Sequence, residues 1–192
     1  MTNRAEHRTA GAATLTRLAR RGAWIAACAL GLAGCVEAFP RPPAVTPAPQ
    51  LDPTVFFAGA TRGDGRLDVR IGTDRTLRVA GSGRMEPDGR FRLDQTITSS
   101  DGSVQRRTWF MQRAPGDGVT ATLSDARGAV TGTVRGSLFH LRYLMRHPAV
   151  YMEQWMYLLP DGRTVTNHAQ VTILGVPWAR VQETITRSEH PE

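Results

Sequence analysis

The 192-residue chain has 24 basic and 17 acidic residues, a formal charge of +7, and 41% hydrophobic residues. This length fits one domain behind an N-terminal segment, and the hydrophobic content is sufficient for a core. Five arginines and one acid lie in residues 1–34, so the rest of the chain carries only +3. A charge that small, spread along the chain, argues against nucleic acid as a partner.

The first 34 residues have the composition of a bacterial export signal. Three arginines (Arg17, Arg20 and Arg21) precede the apolar run 23–33, which is shorter than the roughly 20 residues that a membrane-spanning helix needs. The following Leu32-Ala-Gly-Cys35 resembles the bacterial lipobox, whose cysteine thiol receives a diacylglyceryl group before the chain is cut. We predict a signal peptide over 1–34, cleavage between Gly34 and Cys35, and lipidation of Cys35. A plain secretory signal is the alternative.

The cysteines, the histidines and the segment after the signal extend this interpretation. Cys28 would leave with the signal and Cys35 would be acylated, so no thiol remains for a disulfide or a metal site. The histidines lack metal-ligand spacing, and we expect no metal and no cofactor. The lipidated segment 35–53 is rich in proline and predicts an extended tether. No aspartate follows Cys35, which favours a periplasm-facing anchor at the outer rather than the inner membrane of the cell envelope.

Residues 54–188 have the pattern of an all-β domain, followed by a short tail at 189–192. Glycine-containing turn signals such as Asp88-Gly89 and Asp161-Gly162 separate segments in which apolar and polar residues alternate. The Gly63-Asp-Gly65 segment is interpreted as another such turn. The predicted strands are 55–60, 66–71, 75–84, 89–98, 104–113, 118–124, 129–142, 150–159, 163–174 and 178–187. An antiparallel meander of about 8–10 strands, closed into a barrel, hides its edges; a two-sheet sandwich is the alternative.

Short motifs follow one another in order along 55–187: Val55-Phe-Phe-Ala-Gly59, Asp101-Gly102, Arg107-Thr-Trp109, Gln154-Trp-Met-Tyr157, Asp161, Asn167 and Gln182-Glu-Thr184. Together they resemble DUF3833, a family of uncharacterised bacterial lipoproteins. The resemblance implies a lipocalin-like barrel and, because the family accompanies genes that modify membrane fatty acids, a connection with envelope lipids. Gln154 replaces an acid of the family pattern, and His168 replaces a base after Asn167.

Two glutamates stand out because they lie within otherwise apolar strands. Glu153 shares a strand face with Trp155 and Tyr157, and Glu183 shares one with apolar neighbours. An inward-pointing glutamate should pair with an arginine (Arg107, Arg135 or Arg180) or have a raised pKa. A structural ion pair or a solvated rim position is the alternative. The candidate ligand-binding or polar-core residues are Arg107, Trp109, Glu153, Trp155, Tyr157, Asn167 and Glu183.

No catalytic constellation is present in the sequence. The Gly81-Ser-Gly83 segment lacks the Gly-x-Ser-x-Gly elbow of serine hydrolases, and no paired histidines occur. We therefore expect a non-catalytic, membrane-anchored barrel that binds or presents an apolar ligand such as a fatty acyl group. One alternative is a structural or protein-interaction lipoprotein with a filled barrel. The other is an accessory enzyme of lipid modification that uses Glu153 or Glu183.

Overall fold

A computed structural model describes residues 41–145 and 149–188 of the chain. The predicted signal peptide, Cys35 and the tail 189–192 lie outside these residues. The described part contains one short helix, α1 (Pro53–Phe56), followed by ten strands. The strands are β1 (Gly59–Val69), β2 (Arg75–Met85), β3 (Phe91–Ser99), β4 (Val104–Arg113), β5 (Gly118–Leu123), β6 (Ala126–Arg135), β7 (Leu138–Met145), β8 (Val150–Leu158), β9 (Thr164–Ile173) and β10 (Val176–Arg187).

The ten strands form one closed antiparallel barrel. Each strand pairs with its neighbours in sequence, and β1 also pairs with β10, from Thr61 opposite Arg187 to Val69 opposite Ala179. This closure confirms the prediction of an all-β meander barrel and excludes the two-sheet sandwich. Closing the ring leaves no strand edge with unpaired backbone groups.

Three predicted segments differ from the structure. The predicted strand 55–60 begins instead with α1, because Asp52 accepts a hydrogen bond from the backbone N–H of Thr54 and Pro53 occupies the first helical turn. The predicted turn at Gly63-Asp-Gly65 lies within β1. The predicted strand 129–142 is two strands, β6 and β7, separated at Gly136 with a φ of 54°.

The turns at Asp88-Gly89 and Asp161-Gly162 do not have the type I′ geometry that an Asp-Gly pair generally favours in a two-residue hairpin. Gly89 and Gly162 have φ of 79° and 66°, but no aspartate of the described residues has a positive φ. Type I′ requires positive φ at both central residues. Each aspartate instead accepts a backbone hydrogen bond two residues on, as from Arg90 N to Asp88 Oδ1 at 3.0 Å. Leu174-Gly175, between β9 and β10, has the two positive φ values, 51° and 81°.

The helix α1 and the residues beside it close one end of the barrel. Leu51, Phe56 and Phe57 are only 0%, 3% and 3% exposed. We call residues 51–57 the plug. Its backbone fits closely against β2, where a Cβ added at Gly83 would lie 2.1 Å from the carbonyl oxygen of Phe57. The plug therefore needs a glycine at this position.

Residues 41–50, which precede the plug, form no helix or strand but are bound to the barrel. Thr46 N donates to Ser137 Oγ at 3.0 Å, and Ser137 N donates to Thr46 O at 2.8 Å. Leu51 N donates to Gly136 O at 2.9 Å. The chain is thus held at the β6–β7 turn, at the same end of the barrel as the plug. Within the described ranges, no helix has the length and hydropathy to cross a bilayer.

Candidate functional site

A cavity of about 30 Å³ lies inside the barrel, between the plug and the middle of the strands. Its apolar wall includes Phe57, Trp109, Met111, Phe139 and Met156. Its polar lining comprises Gln95, Arg107, Gln154, Asn167 and Glu183. The volume exceeds the roughly 10–15 Å³ that one water molecule needs, and it is far below the 300–1,000 Å³ of common ligand pockets. The interior is therefore nearly filled, with polar groups around the space that remains.

The wall formed by β3 and β4 carries the cationic side of the cavity. Gln95 lies directly opposite Arg107 in the β3–β4 register. The Oε1 atom of Gln95 accepts hydrogen bonds from Arg107 Nε at 3.0 Å and from Trp109 Nε1 at 2.9 Å. The guanidinium carbon of Arg107 lies 5.9 Å from the centre of the Trp109 ring. These contacts orient Arg107, yet it forms no ion pair with a carboxylate of the described residues.

The wall formed by β9 and β10 carries the acidic side. Asn167 and Glu183 are directly opposite each other, and Asn167 Nδ2 donates to Glu183 Oε2 at 3.1 Å. The other oxygens, Glu183 Oε1 and Asn167 Oδ1, are buried and have no hydrogen-bond partner in the described part of the protein. Burial is the largest effect on Glu183 and raises its pKa. The hydrogen bond from Asn167 and the charge of Arg107 lower the pKa by smaller amounts.

Glycines of β1 provide the space for this glutamate. A Cβ at Gly63 would lie 2.1 Å from Glu183 Oε1, and a Cβ at Gly65 would lie 3.1 Å from Glu183 Cβ. The strand therefore has glycines where an ordinary residue would collide with the glutamate. The Gly63-Asp-Gly65 segment, which resembles a turn in the sequence, instead makes room for a buried carboxyl group.

Gln154 connects the cavity to a buried tyrosine. It is only 4% exposed, and its Nε2 donates to the hydroxyl of Tyr143 at 3.2 Å. Tyr143 packs edge-on against Trp109, with 5.6 Å between ring centres. Burial raises the pKa of Tyr143 to about 12, so this hydroxyl remains protonated and available as a donor.

The structure places four of the seven candidate residues around the cavity and three on the outer face of β8. Arg107, Trp109, Asn167 and Glu183 line the cavity. Glu153 does not face it: its Oε1 lies 2.8 Å from His140 Nε2, and both side chains are about one-third exposed. The rings of Trp155 and His140 are stacked, and Tyr157 packs against His168. Glu183 points inward and has the raised pKa that the sequence analysis gives as one of two outcomes, whereas Glu153 points outward and pairs with His140.

Two polar residues of the cavity, Gln95 and Gln154, are absent from the candidates chosen from the sequence. Gln95 lies on the same face of β3 as Leu93 and Ile97, and Gln154 lies on the same face of β8 as Met152 and Met156. An amide between two buried apolar positions of a strand is the signal that identifies both.

The arrangement can bind a small hydrogen-bonding group, because a guanidinium, an acid and three amides line one cavity inside the barrel. Among the residues that the structure describes, no group of three or more His, Cys, Asp or Glu could hold a metal ion.

Two similar barrels are among the solved structures that match this chain. The S-type phycobiliprotein lyase CPES from Guillardia theta has a TM-score of 0.56 and 10% sequence identity, over 71% of this chain and 92% of the lyase. A DUF3598-family protein of unknown function from Nostoc punctiforme has a TM-score of 0.56 and 13% identity, over 79% of this chain and 54% of that protein. At these identities the similarity establishes the barrel fold alone.

No curated protein matches the sequence. A family comparison matches residues 29–187 to the family described as "Protein of unknown function (DUF3833)". This match spans the whole barrel, and it confirms the resemblance that the ordered motifs indicate. The chain belongs to the DUF3833 family.

Proposed function

We propose that this protein is a lipid-anchored protein of the bacterial envelope whose barrel binds an apolar ligand, such as a fatty acyl group, without catalysing a reaction on it. The anchor would be Cys35, with the barrel facing the periplasm, at the outer rather than the inner membrane. The signal-like composition of residues 1–34 and the lipobox-like Leu32-Ala-Gly-Cys35 segment support the anchor. Two or more acyl chains on one cysteine make a stable attachment, since each buried CH₂ contributes about 0.8 kcal/mol.

The observation that carries the ligand-binding proposal is the composition of the cavity lining. Aromatic and sulfur-containing side chains surround it, yet Glu183 Oε1 and Asn167 Oδ1 are buried with no hydrogen-bond partner within residues 41–145 and 149–188. An unpaired buried polar atom costs about 1–3 kcal/mol, so a barrel with a purely structural interior would be more stable with apolar residues there. Apolar walls with a few convergent polar groups are typical of small-molecule sites.

A ligand with an acyl chain must displace side chains, because the cavity of about 30 Å³ has no room for a chain. Phe57 belongs to the plug, and Met111 and Met156 are flexible thioethers that can repack. The proposal therefore includes an outward movement of Phe57 when the ligand enters. This movement would open the end of the barrel at which the tether is attached.

Extraction of the intact protein tests the ligand. The protein is purified from membranes, extracted with organic solvent, and the released lipid is measured per mole of protein by mass spectrometry. Phe57→Ala should increase the amount of lipid, because it creates space inside the barrel. Phe110→Ala removes a ring from the outer face of β4 and is the matched control. Absence of bound lipid from both wild type and Phe57→Ala would contradict the proposal.

Replacement of the cysteine tests the anchor. Cys35→Ser should move the protein from the membrane fraction to the soluble fraction and remove the mass of the lipid. An unchanged mass and an unchanged distribution would contradict lipidation at this residue.

The small cavity favours one rival, a filled barrel that serves as a protein-interaction module. Crosslinking in intact cells distinguishes the two functions. A stoichiometric protein partner, together with absence of bound lipid, would support the rival.

A further inference from the structure

The polar groups of the cavity define the chemistry of the ligand more narrowly than its apolar walls do. Strands β3 and β4 place Arg107 across the barrel from β9 and β10, which carry Asn167 and Glu183. Arg107 uses its Nε for Gln95, and no residue in the described ranges accepts a bond from its two terminal nitrogens. In the same ranges, Glu183 Oε1 and Asn167 Oδ1 have no donor. A ligand that completes these contacts supplies an acceptor to Arg107 on one side and a donor to Glu183 on the other.

A carboxylic acid satisfies both requirements within one group of three heavy atoms. One oxygen accepts from the guanidinium of Arg107, and a proton lies between the other oxygen and Glu183 Oε1. An ester has no proton to share, and an alcohol does not match the Arg107 charge. A phosphate would bring two negative charges to a single arginine inside the barrel. The volume of about 30 Å³ suits a carboxyl group, while the chain takes the space vacated by Phe57.

We propose that the cavity recognises the free carboxyl group of a fatty acid, held between Arg107 and Glu183 with one proton shared by the two acids. This inference rests on the proposed ligand-binding function and adds the identity of the head group. No covalent step is involved.

The charges in the cavity support this assignment. Arg107 and one carboxylate sum to zero, so a second carboxylate is admitted only when one proton enters with it. Asp64 of β1 and Arg107 of β4 are the charged groups that act on Glu183, and Asn167 of β9 is its hydrogen-bond partner. Burial already favours the protonated form of Glu183 by raising its pKa. A fatty acid that arrives as an anion should therefore bind with uptake of a proton once Glu183 is ionised.

Native mass spectrometry of the intact protein, released from detergent micelles, tests the head group. The probes are oleic acid, methyl oleate and oleyl alcohol. We expect oleic acid to bind at least about tenfold more tightly than the other two, a difference of about 1.4 kcal/mol. Arg107→Met should remove this preference, and Gln112→Met, an exposed position on the same strand, should retain it.

The pH dependence of the same titration tests the shared proton. Above the pKa of Glu183, wild-type affinity for oleic acid should fall by about tenfold per pH unit, because each binding event must then take up one proton. Glu183→Gln supplies a permanent N–H donor and should bind without this pH dependence. Carboxyl-¹³C-labelled oleic acid gives a readout independent of any variant, since the resonance of the bound acid should report one proton exchanging between two carboxyl groups.

Each outcome supports or overturns the inference. Equal binding of oleic acid and methyl oleate would overturn the head-group assignment and leave the apolar-ligand function standing. Tight oleic acid binding with no pH dependence in the wild type would overturn the shared proton. Absence of binding by all three probes, with no lipid extracted from the purified protein, would overturn the proposed function as well.

Discussion

Replacing Glu183 by glutamine should stabilise the folded protein at neutral pH and leave its stability nearly unchanged in acid. Burial raises the pKa of Glu183 in the folded state, whereas the unfolded chain has the ordinary glutamate value of about 4.3. At a pH between these two pKa values, the folded protein retains on Glu183 a proton that the unfolded chain has released. The free energy of unfolding therefore falls as pH rises, by up to about 1.4 kcal/mol per pH unit from this group alone.

The structure indicates that glutamine can occupy the same position. The carbonyl oxygen of glutamine can accept the hydrogen bond that Asn167 Nδ2 donates to Glu183 Oε2 at 3.1 Å. The amide nitrogen takes the place of Oε1, which has no hydrogen-bond partner among the residues that the structure describes. The substitution thus removes a titratable group and retains its hydrogen bond. In the wild type, the stability that the protonated Glu183 gives to the folded state is fully present below about pH 4.3. It is lost as pH rises through the pKa of Glu183 in the folded state.

Urea denaturation followed by tryptophan fluorescence measures this effect at pH 4, 6 and 8. The difference in the free energy of unfolding between Glu183→Gln and wild type should grow with pH over this range. Asp117→Asn, at an exposed turn, is the control and should show no such growth. A difference that stays constant from pH 4 to pH 8, or that changes in the opposite direction, would refute the argument.

Three further substitutions test other parts of the fold. Gly83→Ala should destabilise the protein by about 1–3 kcal/mol in urea denaturation, because the new methyl group would lie 2.1 Å from the backbone carbonyl of Phe57. Leu174→Asn should raise the melting temperature by relieving about 1 kcal/mol of strain at a φ of 51°, where asparagine is favoured before glycine. Ser137→Ala should speed proteolysis within 41–50, because it removes the hydroxyl that accepts from Thr46 N at 3.0 Å.

Each of these predictions has a contradicting outcome, and the Gly83 and Ser137 variants also have a matched control. Gly63→Ala should be milder than Gly83→Ala, since its Cβ meets only the end of the Glu183 side chain; the reverse order would contradict the plug geometry. A lower melting temperature for Leu174→Asn would show that the leucine is favourable in this turn. Ser82→Ala, exposed on β2, should not alter proteolysis of 41–50, and an equal effect of both serine variants would contradict the role of Ser137.

The sequence predicts the strands of the barrel well, because a single sequence contains the alternation of apolar and polar residues that marks a strand. Closure depends on the pairing of β1 with β10, which alternation does not specify. The number of predicted strands is nevertheless partly the result of two errors that cancel. One segment, 129–142, is two strands, and the segments 55–60 and 66–71 correspond to α1 and a single strand β1. Glycine explains both errors, because it occurs in turns and also inside strands where another side chain needs room.

The candidate site is predictable where only one face of a strand is apolar. On β10, Glu183 alternates with Gln182 and Thr184, so its face toward the core is clear from the sequence. On β8 both faces are apolar: Met152 and Met156 point inward, and Trp155 and Tyr157 point outward with Glu153. Alternation divides such a strand into two faces but does not say which one is inside. That choice depends on the neighbouring strands.

The pairing of β1 with β10 makes the last strand as necessary to the fold as the first. The hydroxyl of Thr186 donates to the carbonyl of Arg62 at 3.4 Å, between residues 124 positions apart in sequence. The ring can therefore form only after nearly the entire domain has been synthesised. Until then, the first nine strands form a sheet with two unpaired edges. A nonsense mutation ahead of Val176 would leave β1 and β9 as exposed edges that invite aggregation, rather than a slightly smaller barrel.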